Sequence, residues 1–323
     1  MKNIGVFTSG GDAPGMNACI RAVVRTALHL DIRPFGIRYG YEGMIEGDIF
    51  EMNARSVSNI IQAGGTILVS ARSQAFKTKK GRAEAIDNLK RFGIEGLVAI
   101  GGDGTIQGAE KLCNESDIKV VVCPGTIDND IYGTDYTIGF NTAINTALDA
   151  IDKIRDTAGA MDRLFLVEVM GRHSGFIALD VAIAGGAEGV LVPEENKGDL
   201  SNVYEVLEEG IKKGKRTNII VVAEGDEMGG AEALAADLLK KFGIKSWVTV
   251  LGHIQRGGSP TARDRILASK LGSASVKALN KAKSGIMIGE VNGDITHTSF
   301  RDAYKKKKQL RKDELDLINI LAN

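Results

Sequence analysis

Short β-branched runs alternate with helical periodicity from one end of this chain to the other. The runs fall at residues 4–8, 34–38, 96–100, 119–123, 163–169, 189–192, 218–223, 247–251 and 286–289. Between them lie amphipathic stretches. One covers Met16–His29, with Ile20, Val23, Val24, Ala27 and Leu28 apolar; in another, Ile144, Leu148, Ile151 and Ile154 recur opposite Asp149, Asp152 and Lys153. Alternation of this kind predicts an α/β fold of mainly parallel sheets with helices on both faces. At 323 residues the chain is long for one core and suits two lobes. A boundary is expected near residue 140, and the late strand near 250 is expected to return the chain to the first lobe. Residues 306–323, after a run of lysines beginning at Lys305, read as a solvated turn and a closing helix.

The chain carries 40 glycines against 5 prolines, above the usual glycine share of about 7%. They gather where the expected strands end, which is where α/β proteins place ligand loops. Lys+Arg and Asp+Glu are equal at 41 each, so no global charge favours nucleic acid or a membrane surface, and an anion site must be built locally. Cys19, Cys113 and Cys123 are far apart and lack metal-type spacing; Cys19 and Cys123 have core surroundings. A reduced, cytoplasmic protein is expected, with no signal peptide ahead of a strand that begins at Ile4. No apolar run approaches the ~20 residues that cross a bilayer.

Three loops carry chemistry. The first, Thr8-Ser9-Gly10-Gly11-Asp12-Ala13-Pro14-Gly15-Met16-Asn17, ends a strand and opens a helix. Its glycines let the backbone approach an anion, and the helix N-terminus offers free N–H groups; a tight turn would need the same residues. It matches neither the Gly-x-Gly-x-x-Gly fingerprint nor the P-loop. The second, Ile100-Gly101-Gly102-Asp103-Gly104-Thr105, sets one carboxylate among three glycines, as a phosphate cradle with a Mg²⁺ partner would; an N-cap is the plainer reading. In the third, Pro124-Gly125-Thr126-Ile127-Asp128-Asn129-Asp130, two carboxylates stand two residues apart. Phosphoryl transfer to an alcohol needs one carboxylate to accept the hydroxyl proton and others to hold metal.

Basic partners stand beside expected loops: Arg72, Arg163, Arg172 and Arg256, each able to grip phosphate bidentately. Glu224 ends a strand, and it and His253 are candidate acceptors for a sugar hydroxyl.

Together, residues 8–17, 101–105, 124–130, 168–175 and 252–260 resemble the bacterial ATP-dependent 6-phosphofructokinase family, in order from residue 1 to about 290. The resemblance implies the phosphofructokinase fold of two similar lobes: residues 1–140 plus about 252–305 binding ATP, and 141–251 binding sugar phosphate. It implies Mg²⁺-dependent transfer of the ATP γ-phosphate to O1 of fructose 6-phosphate in a homotetramer, with no nucleic-acid or membrane partner. Asp128 would be the base, with Thr126 and Arg172 stabilising the moving phosphoryl group, and Asp103 and Asp130 serving the metal. Gly11, Tyr41, Arg72, Ser73, Gly102, Asp103, Gly104, Thr105 and Gly108 would line the ATP site, Tyr41 near the adenine. Met170, Gly171, Arg172, Glu224, Trp247, His253 and Arg256 would line the sugar-phosphate site, with Thr126 and Asp128, and Arg163 would reach in from a neighbouring subunit. ADP or phosphoenolpyruvate would act at Arg21, Arg25, Arg155, Gly186, Glu188, Lys213, Lys215 and Arg216, although on the sequence Arg21 and Arg25 are equally well solvent residues. Pyrophosphate-using relatives carry Asp and Lys at the positions of Gly104 and Gly125, so glycine at both points to ATP.

One position departs sharply. Trp247 stands where the family usually has an arginine for the sugar 6-phosphate, and an indole offers only a single neutral donor. Lys245, on the same strand face, is a partial replacement. Ala54 and Thr217 depart at the effector positions. These departures motivate a rival reading, a non-catalytic or altered-specificity sensor of sugar phosphate or nucleotide.

Overall fold

The computed structural model describes residues 1–161, 163–194, 204, 218–225 and 229–321. In chain order the elements are β1 (Asn3–Ser9), α1 (Met16–His29), β2 (Arg33–Ile37), α2 (Tyr41–Glu46), β3 (Ile49–Glu51), α3 (Lys79–Arg91), β4 (Gly96–Gly101), α4 (Asp103–Glu115), β5 (Lys119–Pro124) and α5 (Phe140–Met161). They continue as β6 (Leu164–Val169), α6 (Phe176–Gly185), β7 (Gly189–Leu191), β8 (Asn218–Ala223), α7 (Gly230–Phe242), β9 (Ser246–Val250), α8 (Ala262–Asn280), β10 (Ile286–Val291), β11 (Asp294–Ser299), α9 (Phe300–Lys305) and α10 (Lys312–Leu321). All nine expected strands are present, and α1 has the expected bounds. Two further strands were not expected. β3 is three residues on a sheet edge, too short for any alternation. β11 pairs with β10 through Asn292-Gly293, both at positive φ, the signature of a tight hairpin turn.

The chain forms two compact units. The first comprises Met1–Ile127, Ile131–Thr142 and Arg256–Lys308; the second comprises Asp128–Asp130, Ala143–Gln255 and Gln309–Asn323. The first holds a seven-stranded sheet in the order β11-β10-β5-β4-β1-β2-β3, parallel except for the hairpin partners at each edge. Phe7, Leu97, Ala99, Val120 and Val122 face a core closed by Ile86 and Leu89 of α3 and Ile106 and Leu112 of α4. The alternate residues Val6, Val98, Val121 and Cys123 are just as deeply buried, on the side where α1 and α8 pack. Burial on both faces explains why these strands read as continuous apolar runs rather than alternating ones.

Neighbouring β1 and β4 carry the chain in opposite directions across the sheet, since β2 follows β1 on one side and β5 follows β4 on the other. Such a switch point opens a crevice beyond the strand ends, and the first two glycine loops sit there. The second unit repeats the plan with four parallel strands, β7-β8-β6-β9. Leu164, Leu166, Ile220 and Val222 meet Leu234 and Leu238 of α7 in its core.

One buried carboxylate organises the first unit. Asp264, 1% exposed, accepts hydrogen bonds from the backbone N–H groups of Gly139 (2.9 Å) and Thr142 (2.8 Å) and from the Thr142 hydroxyl. Burial pushes its carboxyl above the usual range, and the three donors act against that shift. Asp264→Ala would leave buried donors without an acceptor, at a cost of about 3 kcal/mol. A urea titration should show the midpoint falling accordingly, with Asp264→Asn, which keeps one acceptor oxygen, falling less. An unchanged midpoint for the alanine variant would contradict this role.

Candidate active site

The first glycine loop is locked to the segment that follows β3. Asn17 Nδ2 donates to the carbonyls of Ala63 (3.2 Å) and Gly64 (3.1 Å), and its Oδ1 accepts from the N–H of Ile67 (2.8 Å). Thr8 Oγ1 donates to the Val69 carbonyl, and Ser70 Oγ to that of Gly10 (2.6 Å). Val69 is a β-branched residue at φ 55, a strained conformation held by these bonds. They place exposed Arg72 and half-buried Ser73 beside the glycine loop. Gly15 caps α1 at φ 108, where a Cβ would also meet Ile138 at 2.8 Å, so only glycine serves.

Arg256 lies against the same loop. Its Nη1 donates to the Asp12 carbonyl (3.1 Å), and a Cβ on Gly11 would come within 2.6 Å of that nitrogen. A side chain at Gly11 would displace the guanidinium from this position. Arg256 was expected at the sugar phosphate; here its anchor is the glycine loop expected to serve ATP.

The second loop is tied to the first by Thr105, which is buried and donates from Oγ1 to the Ser9 carbonyl (3.1 Å). Asp103 begins α4 with its carboxylate exposed, accepting from Gln107 Nε2 (2.7 Å). Partial burial still holds its carboxyl above the usual range. A Cβ on Gly104 would meet nothing within 4 Å, whereas one on Gly125 would meet Ile100 at 2.9 Å and Met16 at 3.2 Å. Of the two glycines read as signs of ATP, only Gly104 faces open space; Gly125 is closed by packing.

Tyr41 has a different place from the one expected. Its ring is buried, stacked on Phe76 (centroids 4.0 Å) and edge-on to Phe7, and its hydroxyl donates to the Thr105 carbonyl (2.6 Å). A Cβ on Gly108 would strike that ring at 2.7 Å. The pair supports the cradle from beneath, with no open aromatic face for a base.

The third loop follows β5. Thr126 is buried, and its carbonyl accepts from Thr137 Oγ1 (2.6 Å). Asp128 is 5% exposed and Asn129 beside it is left-handed at φ 54, while Asp130 is exposed. In the second unit, Ser174 Oγ donates to the Asp128 carbonyl (3.0 Å), joining the acidic loop to the one after β6. There Arg172 is also left-handed, at φ 55, and its N–H donates to Glu224 Oε1 (2.9 Å). Two non-glycine residues held left-handed in loops that Ser174 joins mark a constrained site. A Cβ on Gly225 would fall 1.4 Å from the Arg172 carbonyl, so that strand end must be bare. Buried Met170 donates its N–H to Gln255 Oε1 (2.8 Å), fixing the loop that also presents exposed His253. Gly171, between Met170 and Arg172, has φ 147. Ser174, Gln255, Asn17 and Thr137 were not singled out from the sequence, although the first three lie inside the motifs quoted.

Arg163 and Trp247 come together, with the guanidinium carbon 4.6 Å from the indole centroid. They stand at the starts of β6 and β9, whereas Met170, Arg172, Glu224 and His253 follow the ends of β6, β8 and β9. The length of β6, roughly 16 Å, separates the two groups within the chain. Of the residues expected at an effector site, Arg155 Nη2 donates to the carbonyls of Gly185 (2.6 Å) and Gly186 (2.7 Å), and buried Glu188 accepts from the Ile219 N–H (2.6 Å). On α1, Arg21 is half-buried and Arg25 exposed. Lys213, Lys215 and Arg216, with Thr217, lie outside the described residues.

Strand-end glycine cradles, an exposed carboxylate opening a helix and a buried carboxylate in the next loop define an α/β phosphotransferase. The chain belongs to the phosphofructokinase family, whose model, described as Phosphofructokinase, matches residues 3–279. It is 59% identical over 322 residues to the ATP-dependent 6-phosphofructokinase 1 of Thermus thermophilus, covering 100% of both chains. Against the ATP-dependent 6-phosphofructokinase of Halothermothrix orenii it is 51% identical over 332 residues, again covering 100% of both. Phosphofructokinase from Saccharomyces cerevisiae superposes with a TM-score of 0.87 at 36% identity over 94% of this chain, which spans 45% of the yeast chain. A pyrophosphate-dependent phosphofructokinase from Marinobacter aquaeolei shares the fold, with a TM-score of 0.85 at 22% identity, covering 98% of this chain and 91% of that one.

Proposed function

We propose that this enzyme transfers the γ-phosphate of ATP to O1 of fructose 6-phosphate, giving fructose 1,6-bisphosphate and ADP, the committed step of glycolysis. The observation that carries the chemistry is Asp128, a buried carboxylate in a loop pinned by Ser174 at its own carbonyl and by Thr137 at that of Thr126. Full-length relatives carrying the ATP-dependent name support the substrates. Asp128 accepts the proton of the 1-hydroxyl as the new O–P bond forms. Thr126 and Arg172 face the charge that develops on the phosphoryl group. Gly11, Arg72, Ser73 and the 102–105 cradle hold the nucleotide phosphates; Met170, Gly171, Glu224, His253 and Arg256 hold the sugar phosphate.

Mg²⁺ fits the donors present. Among the described residues no group of three or more His, Cys, Asp or Glu could close around a metal. An exposed aspartate at a helix N-terminus, completed by substrate phosphates, suits a hard cation that takes one or two carboxylates. Asp103 would hold it with help from Asp130, and when bound it neutralises charge on the phosphates. A homotetramer belongs to the same reading, because Arg163 stands too far along β6 to serve its own subunit's sugar loops. So does a cytoplasmic setting, supported by three free thiols. Among the described residues no helix is long and apolar enough to cross a membrane.

The test is a coupled assay with fructose 6-phosphate and either ATP or pyrophosphate. Turnover with ATP alone is expected; turnover with neither would return the sensor reading. Repeating it with ADP and with phosphoenolpyruvate tests the effector site proposed at Arg21, Arg25, Arg155, Gly186, Glu188, Lys213, Lys215 and Arg216. A flat response to both removes that site.

A further inference from the structure

Trp247 is the chain's single tryptophan. It is half-buried on β9, in register with Phe165 of β6, whose ring lies 6.2 Å away. Two cations converge on its indole: the Arg163 guanidinium carbon at 4.6 Å from the centroid and Lys245 Nζ at 5.4 Å. Leu164 pairs with Ser246, so both cations leave adjacent strands at the same end of the sheet. Among the described residues, no carboxylate forms an ion pair with either. Two like charges sharing one ring without an anion repel each other. What offsets that repulsion here is the negative face of the indole, which also confines a guanidinium that would otherwise sample many rotamers.

We propose that Trp247 is the positioning residue of a two-cation clamp for a phosphate monoester, with Arg163 and Lys245 as the contacting groups. The clamp rests on the sugar-phosphate reading above and adds two things to it. Lys245 becomes a phosphate contact, and Trp247 acts through its ring face rather than through its single N–H. The phosphate it takes is the 6-phosphate of sugar bound by another copy of this chain.

The KM for fructose 6-phosphate and kcat of Trp247→Leu, Trp247→Phe and Lys245→Gln test the idea. A platform predicts about a tenfold rise in KM for Trp247→Leu with kcat nearly constant, and recovery to within about threefold for Trp247→Phe, which keeps a π face. Lys245→Gln should raise KM about fivefold. Equal KM in wild type and Trp247→Leu overturns the proposal; so does an equal rise in the Leu and Phe variants.

A second measurement uses the wild-type protein. Emission from Trp247, titrated with fructose 6-phosphate in the absence of ATP, should change saturably, and the same titration on Arg163→Gln should lose that response. Fructose should produce none. No response in wild type to fructose 6-phosphate, or to inorganic phosphate if the enzyme proves not to turn the sugar over, counts against the clamp. Absence of turnover in wild type counts against the proposed reaction instead, so the two failures are separable.

Discussion

Asp128→Asn should lower kcat for fructose 6-phosphate phosphorylation by about 10³-fold while leaving its KM within a few-fold. The amide has the shape of the carboxylate but cannot accept the proton of the 1-hydroxyl, and positioned general bases contribute 10²–10⁴-fold. Asp128 is nearly buried, and Ser174 holds it through the backbone carbonyl, a bond the substitution leaves intact. Thermal unfolding should match wild type, since the amide keeps the volume of the carboxylate and one acceptor oxygen. A fall in kcat together with a fall in melting temperature would point to a structural role, and a kcat within tenfold of wild type would remove the base assignment. The expected pattern, loss in kcat with KM held, marks an interaction made only in the transition state.

The second large effect is expected at Gly104. Gly104→Asp should raise the KM for ATP by about 10²-fold without loss of stability, since like charges brought together cost several kcal/mol and ~1.4 kcal/mol corresponds to a factor of ten. The structure has room for the side chain, because nothing lies within 4 Å of a Cβ there, and an acidic residue in the first turn of α4 suits the helix dipole. The loss would therefore fall on the nucleotide and not on the fold. Steady-state kinetics with ATP as the varied substrate, alongside a melting curve, separates the two. Bulk at Gly125 would behave differently, because a Cβ there runs into Ile100 and Met16; that substitution should cost stability first.

The parts of this molecule that could be read from the sequence are those whose chemistry is contiguous. A strand, a glycine turn and a helix lie next to one another in the chain, so the loops after β1, β4 and β5 announce themselves, and so does the α/β alternation that carries them. Contacts between distant segments left no such trace. Asp264 meets Gly139 and Thr142, Ser174 meets Asp128, and Arg163 meets Trp247, each from a remote stretch of chain. Tyr41 shows the limit from the other side: the resemblance implied a place near the adenine, yet its hydroxyl finds a partner inside the core and the ring goes with it. Arg256 is anchored at Gly11 and Asp12, a partnership between segments too far apart in the chain for any local pattern to reveal.

The strained backbone at Asn129 and Arg172 fits the same picture. Left-handed non-glycine residues persist where surrounding bonds over-determine them, and here those bonds run from Ser174 and Glu224. Fixed backbone of this kind is what the role proposed for Arg172, stabilising a transferring phosphoryl group, would require.

A ³¹P NMR record of purified protein with ATP, Mg²⁺ and fructose 6-phosphate tests the reaction and the role of Asp128 most directly. A phosphate resonance on C1 of the sugar should grow as the γ-phosphate of ATP fades, and Asp128→Ser run alongside should stay blank. Equal growth in both samples would contradict the role of Asp128, and no growth with the wild-type enzyme would contradict the reaction itself.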